Sequence, residues 1–418
     1  MDPLKILVVC QHYWPEPFNV HEICVGLVKE GHDVTVLTGL PNYPEGIIPD
    51  EYKKKKNRYQ EKDDVKIMRA PIVSRGENLK GVNALKRVLN YFSFSISGSR
   101  LARKLKGFDV VVAFEFSPIL MVIPAIKAAK RESIPLLIYA FDLWPEDLLT
   151  GGLSKQGIPY RIMKKYSKKL YGQADAIAIT SPDFERYIVD YLGVGHSEFF
   201  YLPQYAEESF EKIDPKPYTS DQSEEFNLVF AGNIGGNQAL ESAIEAMALL
   251  KDDSRTHLHI YGGGSRLEYC ESLVRKLNLH NKVFLHGRKP LEEMPEVYQA
   301  ADAMLLTLAN PKNGSLVPVY TIPRKLQSYM AAGKPIIAAV DGVAGRIVSE
   351  AEAGFTCSGE SPSQLAEVIH CMESMSNEEL HEMGINSKRY YEDCFSQEKF
   401  NSRLNGIWRK LVYGKRSF

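Results

Sequence analysis

The stretch YTIPRKLQSYMAAGKPIIAA, residues 320–339, decides how this chain is read. Pro323 opens a helix there, because a proline's missing N–H costs nothing at a first helical position. Leu326, Tyr329 and Met330 recur at the spacing of an amphipathic helix. The turn Ala332-Gly333-Lys334-Pro335 ends it, and an apolar strand over 335–340 follows. Arg324 and Lys325 stand in the first turn, where unpaired N–H groups and the helix dipole already favour an anion. The segment therefore reads as a seat for a diphosphate. The alternative is an ordinary helix–turn–strand unit with solvated basic residues.

Working outward, apolar runs at 6–9, 34–38, 65–70, 110–114, 136–139 and 176–180 alternate with helical segments. Runs without polar alternation suit parallel strands covered on both faces. Alternating strand and helix implies right-handed crossovers and a doubly wound sheet. The pattern restarts after a polar, proline-bearing stretch at 214–225, with strands expected at 227–231, 257–261, 282–286, 303–306 and 336–340. The expected fold is thus α/β, with two Rossmann-like domains facing a central cleft: 1–213 plus 400–418, and 214–399. The amphipathic segment 396–411 is expected to cross back to the first domain, or else to cap the second.

A chain of 418 residues exceeds one comfortable core, which agrees with two domains. Hydrophobic content of 44%, charged content of 25% and a net charge of −1 describe a soluble protein with no overall case for nucleic acid. The charge is uneven. Residues 1–200 hold 28 Lys and Arg against 23 Asp and Glu, and residues 201–418 hold 23 against 29. Six scattered cysteines, with no CxxC and no metal-ligand spacing, read as core thiols of a reducing cytoplasm. The first strand begins at Lys5 without a signal-peptide layout, and the apolar stretch 110–126 is broken by Glu115, Pro118 and Pro124. Any membrane contact is therefore expected to be peripheral.

Four further motifs frame the reading: ILVVCQHYWPEPFNVHEICVGLVKEGHDVTVLTGLPNYPEG from Ile6, DLWPEDL at 142–148, AGNIGGNQAL at 231–240 and VFLHGRKPLEEMPEVYQAADAMLLTL at 283–308. With the 320–339 segment, in this order and over nearly the whole length, they resemble family 4 glycosyltransferases of the GT-B fold. The subgroup they resemble builds bacterial surface polysaccharides. The resemblance implies a retaining transfer from a nucleotide sugar, with side-chain cations and helix N-termini in place of a divalent metal and with no cofactor. Arg324 and Lys325 are then the leading phosphate ligands, helped by the amides of Leu326 and Gln327. The loop holding Gly232, Asn233, Gly235 and Gln238, and the glycine run with Gly263, admit a phosphate or sugar close to the backbone. Arg288 is the base-site residue the resemblance implies. Two glutamates usual in the family are replaced here by Tyr320 and Ser328, and Ser328 is left as a weaker ribose partner.

On the first domain, Glu115 and Asp142 end neighbouring strands, and either carboxylate suits proton transfer or the hold on an acceptor hydroxyl, with Lys325 the third group expected to act in catalysis. A helix-capping Asp142 is the alternative. Trp14, Glu16 and Asn19 lie with His12 in the first βα loop, and Asn42 and Tyr43 in the second, as acceptor-side residues. Three basic stretches, at 53–58, at 84–106 around Leu85, Val88, Leu89, Phe92 and Ile96, and at Lys164, Lys165, Lys168 and Lys169, fit the inner face of the plasma membrane. The resemblance implies a UDP-sugar donor, of N-acetylated amino or deoxyamino type, and a polyprenyl-diphosphate-linked acceptor. A non-catalytic subunit that binds a sugar or a partner is the rival reading. A dehydrogenase fits poorly, since Cys10-Gln11-His12-Tyr13-Trp14 stands where GxGxxG belongs. The oligomeric state is left open.

Overall fold

The computed structural model describes residues 2–76, 82–195, 197–215, 225–250, 254–311 and 314–414, with 82–85 as backbone only. The chain divides into two compact units, Met1–Leu202 with Arg403–Phe418, and Pro203–Ser402. The division falls at 202/203 rather than at 213/214, because Phe210 stacks on Tyr298 at 4.5 Å and the Tyr391 hydroxyl donates to Glu211. Most of the stretch read as a linker, 216–224, lies outside the described residues. The helix Gln397–Trp408 begins in the second unit. Past Ser402, Arg403 lies 5.5 Å from the Tyr201 ring and Tyr413 donates to the Asp2 carbonyl at 3.0 Å, both in the first unit.

The first unit carries an eight-stranded sheet. Its strands are β1 Lys5–Val9, β2 Asp33–Gly39, β3 Tyr59–Lys62, β4 Val65–Ala70, β5 Val110–Glu115, β6 Leu136–Ala140, β7 Ala176–Ile179 and β8 Glu198–Tyr201, in the order β3-β4-β2-β1-β5-β6-β7-β8. Only β3 runs antiparallel. Strands β5, β6 and β7 are buried at every position, which is why their apolar runs show no alternation. The charged β3 (YQEK) was not expected; it pairs through a tight turn at Asp63 and Asp64, both with positive φ. Because β2 and β5 flank β1, the strand order reverses there, and the loops leaving β1 and β5 diverge to open a crevice.

The second unit carries a parallel six-stranded sheet: β9 Phe226–Ala231, β10 Thr256–Tyr261, β11 Val283–Gly287, β12 Ala303–Thr307, β13 Ile336–Ala339 and β14 Gly354–Cys357, in the order β11-β10-β9-β12-β13-β14. Here the reversal lies between β9 and β12. The loops leaving those two strands carry the glycine-rich turn and the segment that leads into the helix Arg324–Ala331. Burial of Leu228, Phe230, Ile260, Leu305 and Ile337 in one core fixes these strand ends, each side chain contributing about 1.5–3 kcal/mol.

The helix Val82–Ala102 departs from expectation. Its buried face consists of Asn90, Phe94, Ser95, Ser99 and Ala102, whereas Val88, Leu89, Phe92 and Ile96 are exposed. Small residues allow close packing against the helix Ile123–Glu132, and Asn90 joins the loops by accepting from Gln11 at 2.6 Å and donating to the Val73 carbonyl. The helix Ile158–Tyr171 likewise leaves Ile158, Ile162 and Tyr166 exposed in a line. These three helices join β4 to β5, β5 to β6 and β6 to β7, so right-handed crossovers place them on one face of the sheet. They carry eleven Lys and Arg against the single acid Glu132. The lysine-rich 53–58 run is on the exposed loop that leads into edge strand β3.

Candidate functional site

In the second unit, the ends of β9, β10 and β11 are stitched by backbone bonds: Gly232 N–H to Tyr261 O at 2.9 Å, Ile234 N–H to Gly263 O at 3.0 Å and Gly262 N–H to Gly287 O at 2.8 Å. That contact needs bare backbone. A Cβ on Gly262 would meet the Gly232 carbonyl at 1.8 Å, and Gly262 has φ +153. The loop surface so made receives two basic side chains. A Cβ on Gly232 would stand 2.8 Å from Lys325 Cδ, and one on Gly263 would stand 2.8 Å from Arg288 Nε. The glycines therefore make room for cations as much as for a ligand.

Lys325 reaches this loop from the first turn of the helix Arg324–Ala331. Its ammonium donates to Gln238 Oε1 and lies 4.1 Å from the Phe230 ring centroid. No described carboxylate pairs with it. Desolvation without a compensating charge lowers its pKa to about 7. A half-buried ammonium with no carboxylate partner among the described residues, beside a glycine loop, is poised for an anion. Arg324 differs: its Nη2 lies 3.0 Å from Glu207 Oε1, so its charge is already partly answered, while its Nε is buried without a partner. Arg266, also beside the loop, is committed to Glu241 at 2.5 Å and lies over the Tyr269 ring.

The remaining donor-side residues separate. Pro323 is the N-cap rather than the first helical residue, and the Leu326 N–H donates to the Pro323 carbonyl at 2.9 Å. The Leu326 amide is therefore closed to a phosphate as the helix stands. Gln327 is buried with its Oε1 unpartnered, and the Ser328 hydroxyl turns back to the Arg324 carbonyl at 3.4 Å. Asn233 is exposed, its amide against the backbone of Gly235 and Gly264. Neither Glu207 nor Phe230 was singled out by sequence, and no local pattern marks them.

In the first unit Ser117, just past β5, bridges two carboxylates. Its N–H donates to Asp142 Oδ2 at 2.6 Å, its hydroxyl donates to Asp147 Oδ2 at 2.8 Å, and Trp144 Nε1 donates to that hydroxyl at 2.8 Å. Asp142 thus anchors a loop instead of capping a helix. Burial raises the pKa of all three nearby acids, Glu115, Asp142 and Asp147. At Asp142 the hydrogen bond from the Ser117 N–H works against that rise by favouring the ionised form. Glu115 is fully enclosed, with Tyr171 OH 3.2 Å from its Oε2 and its Oε1 unpartnered. Its place differs from the expected one: a sealed acid beneath Asp142 and Asp147, not a group at the loop surface. The DLWPEDL motif supplies one more buried acid, Glu146, which accepts from Tyr160 at 2.7 Å and pairs with Lys155 at 3.5 Å.

The loop after β1 is built around Glu16. Its Oε1 accepts the N–H groups of Asn42 and Tyr43, each at 2.7 Å, and its Oε2 lies 2.9 Å from His12 Nδ1. Glu16 and Asn42 are both buried, and the Asn42 Oδ1 accepts from Arg75 N–H at 3.1 Å, so these two hold the loops together. Asn19 stands at the N-cap of Val20–Lys29 without a side-chain capping bond. Trp14 faces Lys62 and His21. Tyr43 is the exposed member, 5.2 Å from Phe18, which in turn lies 4.9 Å from Phe116.

Two family models match the chain. One, glycosyl transferases group 1, spans residues 213–390, and the other, the glycosyl transferase 4-like domain, spans residues 19–203. The probable glycosyltransferase WbjE of Pseudomonas aeruginosa is 26% identical over 335 residues, 76% of this chain and 78% of that one. The putative colanic acid biosynthesis glycosyl transferase WcaI of Escherichia coli K12 is 24% identical over 394 residues, 90% of each. Among solved structures, HepE of Anabaena in complex with UDP-glucose is similar in fold, with a TM-score of 0.67 at 15% identity, over 98% of this chain and 100% of that one.

Proposed function

Since the chain belongs to the family 4-like glycosyltransferases of the GT-B fold, we propose that it moves a sugar, with retention, from a UDP-sugar to a polyprenyl-diphosphate-linked saccharide during surface polysaccharide assembly. The single observation that carries the donor half is Lys325, a half-buried ammonium with no carboxylate partner among the described residues, at the switch point of the second sheet. A departing nucleoside diphosphate would supply the missing charge, and a preorganised cation is worth most where charge develops. Arg324, drawn from Glu207, and Arg288, resting on Gly263, would complete the cationic set. No resident metal or cofactor is part of this reading.

The donor nucleotide and the pathway draw support from relatives. HepE was solved with UDP-glucose, and WcaI is named for colanic acid biosynthesis. An N-acetylated amino or deoxyamino hexose is the donor sugar proposed, on the resemblance in sequence. On the first unit Asp142 would hold the acceptor hydroxyl, with Tyr43 and Phe18 offering an aromatic face to a sugar ring. The one-sided basic face with exposed Phe92, Ile96, Ile158 and Ile162 suits an anionic lipid surface and supports a lipid-linked acceptor at the inner leaflet. No described helix is long and apolar enough to cross a membrane.

The test is a thermal-shift panel of UDP-, GDP-, dTDP- and CMP-sugars, followed by assay of UDP release with lipid-linked saccharides extracted from membranes. A UDP-sugar should give the largest shift, and Lys325→Ala should abolish it. UDP binding with no UDP release from any sugar donor would favour a non-catalytic binding subunit instead.

A further inference from the structure

The first unit contains a buried hydrogen-bond acceptor that the fold prepares and leaves unused. His12 is 2% exposed, and its Nδ1 lies 2.9 Å from Glu16 Oε2. Glu16 cannot turn away, because its other oxygen accepts two backbone N–H groups at 2.7 Å. A carboxylate facing Nδ1 only accepts, so Nδ1 carries a proton and Nε2 is the ring nitrogen left to present a lone pair. That Nε2 is buried and has no partner among the described residues. Leaving an acceptor so is costly unless a ligand completes it.

The surroundings name the ligand's chemistry. Phe18 stacks on the imidazole at 5.2 Å and 21°, the Tyr43 ring lies 5.9 Å away, and Phe116 continues the aromatic wall towards Ser117 and Asp142. A lone acceptor among aromatic faces, with a carboxylate beyond, matches a molecule bearing both hydroxyl donors and apolar C–H faces. A sugar ring has both. We infer that His12 Nε2 accepts a hydrogen bond from a hydroxyl of the saccharide acceptor, and that Glu16 is a positioning residue that fixes the tautomer and orientation of His12.

This inference rests on the glycosyltransferase reading, and the experiment separates the two. UDP release by wild type, His12→Leu, His12→Gln and Glu16→Gln is measured against UDP-sugar with the extracted lipid-linked saccharides as acceptor pool. His12→Leu should raise the acceptor KM roughly tenfold or more while donor KM and UDP affinity stay unchanged. His12→Gln, which can return an acceptor oxygen, should recover part of that loss. Glu16→Gln should resemble His12→Leu in acceptor KM. In wild-type protein the 15N resonance of His12 Nε2 should mark an unprotonated nitrogen and move when acceptor is added. An unchanged acceptor KM in His12→Leu, or a His12 resonance indifferent to saturating acceptor, overturns the assignment. Absence of UDP release by the wild type with every donor sinks the parent reading instead.

Discussion

UDP affinity should fall between pH 7 and pH 9, and Lys325 should be the cause. Desolvation holds this lysine at a pKa of about 7, so roughly half of it is charged at pH 7 and about 1% at pH 9. A diphosphate beside the ammonium favours its charged form. If only that form binds, affinity drops about 50-fold across the two pH units, about 2.3 kcal/mol. The nucleotide's own terminal phosphate is already ionised above roughly pH 7, so its titration does not mimic the loss. Isothermal titration of UDP at pH 7, 8 and 9 measures the slope. Repeating the pH 7 titration in buffers of different ionisation enthalpy should show an uptake of about half a proton per UDP. Lys325→Met keeps the stem and removes the charge; it should bind weakly and without pH dependence. The same depressed pKa acts on stability with a defined sign. The unfolded lysine holds its proton up to about pH 10.4 and the folded one to about 7, so stability rises with pH between them. Lys325→Met should accordingly be the more heat-stable protein at pH 6–7, by about 1 kcal/mol or more, and lose that advantage progressively as the pH rises towards about 10.4. A wild-type affinity that is flat from pH 7 to 9 refutes the argument.

The glycine loop allows a paired test. Gly262→Ala drives a methyl into the Gly232 carbonyl at 1.8 Å and should lower chemical-denaturation stability by about 3 kcal/mol or more, whereas Gly263→Ala meets only the movable Arg288 side chain and should mainly weaken nucleotide binding. Glu115 is an acid whose pKa is raised by burial and by Asp142 and Asp147, so its contribution to stability is present at acid pH and lost as pH rises. Glu115→Gln should leave the melting temperature at pH 5 nearly unchanged and raise it at pH 8 by roughly 2–4 °C for each kcal/mol relieved. In vesicle flotation, the protein should follow anionic but not zwitterionic lipid, and Lys164→Glu with Lys165→Glu should release it, since each basic residue near such a surface is worth about 1 kcal/mol. Addition of EDTA should leave UDP release unchanged, and its abolition would show that a divalent ion carries the diphosphate instead.

Much of the architecture was legible in the residues. Strands such as β5 and β6 are buried on both faces, so their apolar runs declare them. Edge strands β3, β8 and β14 were missed because each is only four residues long and one flank of each lacks a neighbour. The Arg324–Ala331 helix was legible because proline and glycine punctuate it locally. Both of its cations were legible as candidate phosphate ligands, but only the fold brings Glu207 to Arg324 and leaves Lys325 against Phe230.

By itself the sequence determined where the buried central strands lie, that there are two α/β units, and which loops leave those strand ends, because those features follow from short-range period and turn chemistry. Only the tertiary structure decided which polar atoms are spent and which are free. Glu16 and Asn42 proved to be internal ties, Glu115 a sealed acid, and the Val82–Ala102 helix one that faces its apolar side outward. Hydrogen-bond partners and desolvation come from residues distant in the chain, and no local pattern encodes that distance.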